Sequence, residues 1–116
     1  MRVALIIVED EEERRRAEVA EREFLDLVRW WTDLRSQVNV VASGRLAPKR
    51  TARTVSWRDE RPIVTDGPFI EAKESIAGFL IIDVASESEA LEIAKDWLAK
   101  TGFKIEVRAL ENVPDA

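Results

Sequence analysis

No cysteine occurs in these 116 residues, which rules out disulfides, thiolate nucleophiles and cysteine-type zinc sites. Histidine is missing as well, and with it the commonest general base near neutral pH and the commonest zinc ligand. Tyrosine completes the set of missing residues. Any catalysis therefore falls to Asp, Glu, Lys, Arg, Ser or Thr, or to a bound cofactor. A basic excess is absent too: the net charge is -5 and the pI about 4.9, against what a phosphate-rich nucleic-acid partner requires. The single basic cluster, Arg14-Arg15-Arg16, follows the acidic run Glu9 to Glu13 and reads as a solvated helix face. The first apolar run, Val3 to Val8, is far too short to span a bilayer and lacks the basic flank and cleavage site of a signal peptide. A cytoplasmic protein is the expectation.

Apolar residues make up 46% of the chain and charged residues 35%, a globular balance and not a disordered one. The length suits one core, so residues 1–110 read as a single domain and 111–116 as a polar tail. The opening "RVALIIV" has the continuous β-branched character of a covered strand. Asp10, with Glu13 three residues on, predicts a helix N-cap. From about Glu11 to Gln37, Ala17, Ala20, Phe24, Val28, Trp31 and Leu34 recur at helical spacing. Leu25 and Trp30 fall off that stripe, which predicts an exposed contact patch for an oligomer.

Val38 to Pro48 reads as a second strand, and Thr51–Arg58 with Pro62–Thr65 as a hairpin around a polar turn. Gly78 to Val84 is a further central strand. Ser86 and Glu89 form a capping box for a helix carrying Ala90, Ala94 and Trp97, with Gly102 at its C-cap. Lys104 to Leu110 alternates, with Ile105, Val107 and Ala109 on one face. The order is β-α-β, hairpin, β-α-β. That predicts an α+β, ferredoxin-like split βαβ fold: an antiparallel sheet with two helices on one face. The uncovered face predicts a homodimer.

The stretch "VTDGPFIEAKESIAGFLIIDV" concentrates the remaining chemistry. Asp66-Gly67-Pro68 is sound turn material, so Asp66 reads either as an Asx-type turn residue or as a carboxylate at a cleft rim. Glu71, Lys73 and Glu74 admit two readings of equal weight. One is a surface ion-pair network; the other is a site in which Lys73 holds an anion and a carboxylate acts as base. Arg45 is an anion-binding candidate provided it faces the open side of the sheet, and Phe69 is a candidate pocket wall. An oxygen-only metal site of Asp66, Glu71 and Glu74 has no ligand spacing to support it, so no metal and no cofactor are expected.

Asp66, Gly67, Pro68, Phe69, Glu71, Lys73, Glu74, Gly78 and Phe79 together resemble the signature of the DGPF branch of the YCII-related proteins. "GRLAP" and "TARTV" upstream look like that family's second strand and the segment after it. The resemblance implies the fold of the dimeric α+β barrels and a homodimer. In the wider group a His-Asp pair in the cleft has been taken as catalytic. This chain has no histidine, and only the Asp half maps, onto Asp66. Some DGPF proteins look like partners of extracytoplasmic-function sigma factors. Three functions follow. They are a dimeric protein binding a small anionic or aromatic ligand near the DGPF loop, a cofactor-independent lyase, isomerase or dehalogenase-like enzyme using Asp66, Glu71 or Glu74, and a sigma-factor partner.

Overall fold

The apolar run at the start of the chain forms β1 (Arg2–Asp10), in which Val3, Leu5 and Ile7 are buried and Ala4, Ile6 and Val8 are half-buried. The structure is a computed structural model and describes residues 1–10, 12, 21–69 and 74–112. The remaining elements are α1 (Glu21–Gln37), β2 (Asn39–Arg45), a short 3-10 turn (Lys49–Thr51), β3 (Arg53–Arg58), β4 (Arg61–Asp66), β5 (Glu74–Asp83), α2 (Glu87–Thr101) and β6 (Lys104–Ala109).

Four strands form one sheet in the order β2-β5-β1-β6, and every neighbouring pair is antiparallel. That arrangement is the ferredoxin-like α+β fold, with β3 and β4 inserted as a separate two-stranded hairpin. β5 begins four residues earlier than the sequence predicts, at Glu74 instead of Gly78. Asp10 pairs with Glu74 as the last residue of β1 and so is a strand residue, not a helix cap.

Alternation divides the sheet into two faces. Val3, Leu5 and Ile7 pair with Ile82, Leu80 and Gly78 on one side and with Ala109, Val107 and Ile105 on the other. These residues share the core with Trp30 and Leu34 of α1 and with Ala90 and Trp97 of α2. Both described helices therefore pack on this face. The opposite face carries Ala4, Ile6, Val8, Ile76, Phe79 and Ile81, bordered by Lys104, Glu106 and Arg108 of β6.

Helix α2 follows its sequence signals. Ser86 Oγ accepts from the Glu89 N–H at 3.3 Å, while Glu89 reaches back to the Ala85 N–H at 3.0 Å. Gly102 closes the helix in the left-handed region, its N–H donating to the Leu98 carbonyl. Helix α1 departs from expectation. Trp30 is buried, whereas Val28 is exposed and Trp31 is half-buried; Leu25 is exposed, as its place off the stripe predicts. Trp30 stands edge-to-face on Trp97 with ring centroids 4.9 Å apart, and its indole N–H donates to Asp96. The predicted oligomer residue is a helix-to-helix contact, because α2 supplies both an aromatic face and an acceptor for it. Ala17 and Ala20, and the predicted first turns, lie outside the described residues.

The hairpin turns at Asp59 and Glu60, both at positive φ. Two successive left-handed residues form the tight turn whose twist matches antiparallel strands. One hairpin face carries Val55, Trp57, Pro62 and Val64, all exposed. No described helix is long and apolar enough to cross a membrane.

Candidate functional site

A cavity of about 340 Å³ lies between α1 and the covered face of the sheet. Its base is Ile7, Ala77 and Gly78, where β1 and β5 pair. Leu27 and Trp31 of α1 form one wall, and Trp97 with Phe103 the other. This is an apolar chamber, and its polar groups are few and placed.

The position of those groups follows from one irregularity. The β2–β5 register slips between Val40 and Ala42, so one extra residue bulges from β2. Val40 pairs with Ile82 on the covered face; without the slip, residues 42 and 44 would follow it there. With the slip, Ser43 pairs with Leu80 and Arg45 with Gly78, which turns both toward the cavity. Arg45 thus faces the helix-covered side and not the open side that the sequence reading required of an anion ligand. Arg35, one turn beyond Trp31 on α1, donates to Ser43 Oγ at 3.1 Å and closes the same rim.

Gly78 holds this edge of the sheet together. A Cβ there would stand 2.8 Å from the Gly44 carbonyl oxygen, too close for any side chain. Gly44 in turn lies under the ring of Phe79 on the other face.

Glu9 lines the cavity and is only 6% exposed. It continues the period-two series Val3, Leu5, Ile7 onto the covered face. That alternation was present in the sequence, but the continuous apolar run concealed which residues share a face. Glu9, Arg35 and Ser43 are the site residues that sequence reasoning passed over.

The residues expected from the sequence are dispersed. Asp66 is 92% exposed at its side chain and faces Arg53 across the hairpin at 3.7 Å. Its Gly-Pro neighbours belong to the hairpin base: the Gly67 N–H donates to the Ala52 carbonyl at 2.7 Å, and Thr54 Oγ1 donates to the Gly67 carbonyl at 2.8 Å. Phe69 is 82% exposed and is not among the described cavity walls. Glu74 pairs with Asp10 and meets Lys104 in an ion pair on the uncovered face, so the sheet separates it from the chamber. Glu71 and Lys73 lie outside the described residues. Among the described residues no three acidic side chains converge in a way that would hold a metal ion.

A second, more polar groove runs between the helices, past Asp33, Glu89, Glu92 and Asp96. Hydrogen bonds from the Trp30 indole and then from Lys100 hold the Asp96 carboxyl below the usual aspartate range.

Comparison with known proteins agrees with this architecture. A profile of the YCII-related domain matches residues 1–109. An uncharacterized protein of Rhizobium meliloti (strain 1021) is 48% identical over 52 residues, a match spanning 45% of this chain and 42% of that protein. With nearly its whole length matched to that one profile, the chain belongs to the YCII-related family.

Proposed function

We propose that this protein binds a small, flat organic acid in the chamber between α1 and the sheet. The observation that carries the reading is the distribution of polarity: mostly apolar and aromatic walls whose charged groups are the buried carboxylate of Glu9 and two guanidinium groups, Arg35 and Arg45, which outnumber it at one rim. A pocket of this kind takes up an apolar body by desolvation and orients it through a few charged contacts. Arginine suits the rim because its planar fork matches a carboxylate. The carboxylate-base alternative draws no support from Asp66 or Glu74, since both are exposed and face cations.

The probe is 4-isopropylbenzoate, followed by calorimetry on the full chain. Arg45→Ala and Arg35→Ala are each expected to weaken it about fivefold to tenfold while leaving the fold intact by circular dichroism. Unchanged affinity in both variants would remove the rim from the site.

The same reading includes a homodimer formed through the uncovered sheet face. Ile6, Val8, Phe79 and Ile81 form an apolar field there, and a second copy buries it symmetrically. Sedimentation of the wild type as a monomer at micromolar concentration would sink the dimer; Phe79→Lys is expected to dissociate it.

A further inference from the structure

Glu9 is the third charged side chain of the chamber, and it stands apart from the two arginines. Strand alternation puts it on the covered face with Val3, Leu5 and Ile7. Side chains stand away from their sheet, so Glu9 extends from the floor into the space under the helices. Val8 pairs with Lys104, and the same antiparallel register carries Glu9 toward Phe103, at the wall away from the arginines. β5 lies between β1 and β2, so Glu9 and Arg45 spring from strands about 10 Å apart. Ala77 and Gly78 of β5 form the floor between them. The chamber is bipolar: cations at the β2 edge, a carboxylate on β1, and apolar surface between.

We propose that Glu9 is a ligand-binding residue, and that the ligand is an aryl acid carrying a hydroxyl donor at the end away from its carboxylate. Arg35 and Arg45 take the ligand carboxylate at the rim, and Glu9 accepts the hydrogen of the far hydroxyl. Glu9 is engaged within the fold. A carboxylate offers two oxygens and about four acceptor sites, so a donor from the chamber adds to that engagement without displacing it. The walls carry two guanidinium groups against one carboxylate, so a monoanion balances them, and a neutral donor suits the far end better than a cation. An oxygen that only accepts would meet the Glu9 carboxylate with like polarity. The inference rests on the site reading above, and the experiment separates the two.

The test compares 4-isopropylbenzoate with 4-(1-hydroxyethyl)benzoate, in which one methyl becomes a hydroxyl, and with 4-acetylbenzoate, which keeps the oxygen but not its hydrogen. Calorimetry on the full chain is expected to show the hydroxyethyl acid binding about threefold to tenfold more tightly than the isopropyl acid. The acetyl acid is expected to bind no more tightly than the isopropyl acid. In Glu9→Leu the ratio of hydroxyethyl to isopropyl affinity falls to about one or below, whereas Glu9→Gln, whose amide oxygen still accepts, keeps part of it. A residue that only shaped the wall would change all three affinities together and leave the ratio alone. Should Glu9→Leu fail to fold, the wild-type ranking and Glu9→Gln carry the test. An unchanged ratio in Glu9→Leu, or in the wild type a hydroxyethyl acid no tighter than the isopropyl acid or matched by the acetyl acid, overturns this inference and leaves the site reading standing. Binding of none of the three acids overturns the site reading and this inference with it.

Discussion

The Trp30 indole N–H donates to Asp96 Oδ2 at 2.9 Å, tying the middle of α1 to the last turns of α2 across 66 residues of sequence. Lys100, one turn further along α2, grips the same oxygen at 3.1 Å. The carboxylate is thus the shared acceptor of an aromatic donor and a cation.

Replacing Trp30 by Phe keeps the ring against Trp97 but leaves Asp96 without its neutral donor. The expected cost is about 1 kcal/mol in urea unfolding, larger if the smaller ring leaves a gap beside Trp97. The folded Asp96 pKa is depressed, so its contribution to stability is fully present above the ordinary aspartate value and is lost as pH falls through the folded value. Asp96→Asn keeps an acceptor for Trp30 while removing the charge. Its stability is expected to fall less steeply than that of the wild type as pH drops below about 4. Parallel acid-unfolding curves for the two proteins would contradict this.

Gly78→Ala places a methyl group 2.8 Å from the Gly44 carbonyl oxygen, which is backbone and cannot turn aside. Either β2 moves away from β5 or the pairing slips. A loss of about 1–3 kcal/mol is expected, with the same sensitivity to denaturant concentration. Because Arg45 is the Cα partner of Gly78, binding of 4-isopropylbenzoate should weaken in the same variant. An Ala variant as stable as the wild type would show that β2 yields freely.

Glu60 sits at φ 64 in the hairpin turn, a region that a side chain enters at some cost and glycine enters without one. Glu60→Gly is expected to stabilise the hairpin by up to about 1 kcal/mol, read as slower amide exchange in β3 and β4. The main sheet, which pairs separately, should exchange at unchanged rates. Faster exchange in the hairpin after the substitution would contradict the assignment of strain to this residue.

Much of this fold was legible because its signals are local. The apolar runs of β1 and β5, the alternation of β6 and the Ser86–Glu89 cap each depend on a few adjacent residues. What escaped depends on phase set from elsewhere. Two adjacent tryptophans, Trp30 and Trp31, leave the facing of α1 open by one residue, and it is Asp96 on the other helix that draws Trp30 inward. The bulge in β2 is equally silent in "NVVASGR", yet it decides which face receives Ser43 and Arg45. The charged cluster after the DGPF turn attracted attention by its density, but Glu74 falls on the face opposite the chamber. The buried carboxylate on that side, Glu9, stood at the end of an ordinary apolar strand.

The strand order carries a consequence for how the chain comes to be folded. β1 is made first, yet its neighbours in the sheet are the strands that begin at Glu74 and Lys104. At a synthesis rate of about 5–20 residues per second, the "VALIIV" segment waits for seconds before either pairing edge exists. Pairings this distant in sequence also slow the search for the native state, because the loop must close before any contact rewards it. During that interval the most apolar strand of the protein is an unpaired edge. A nascent chain stalled before residue 74 therefore offers a binding segment to chaperones, and released at that length it is a candidate for aggregation.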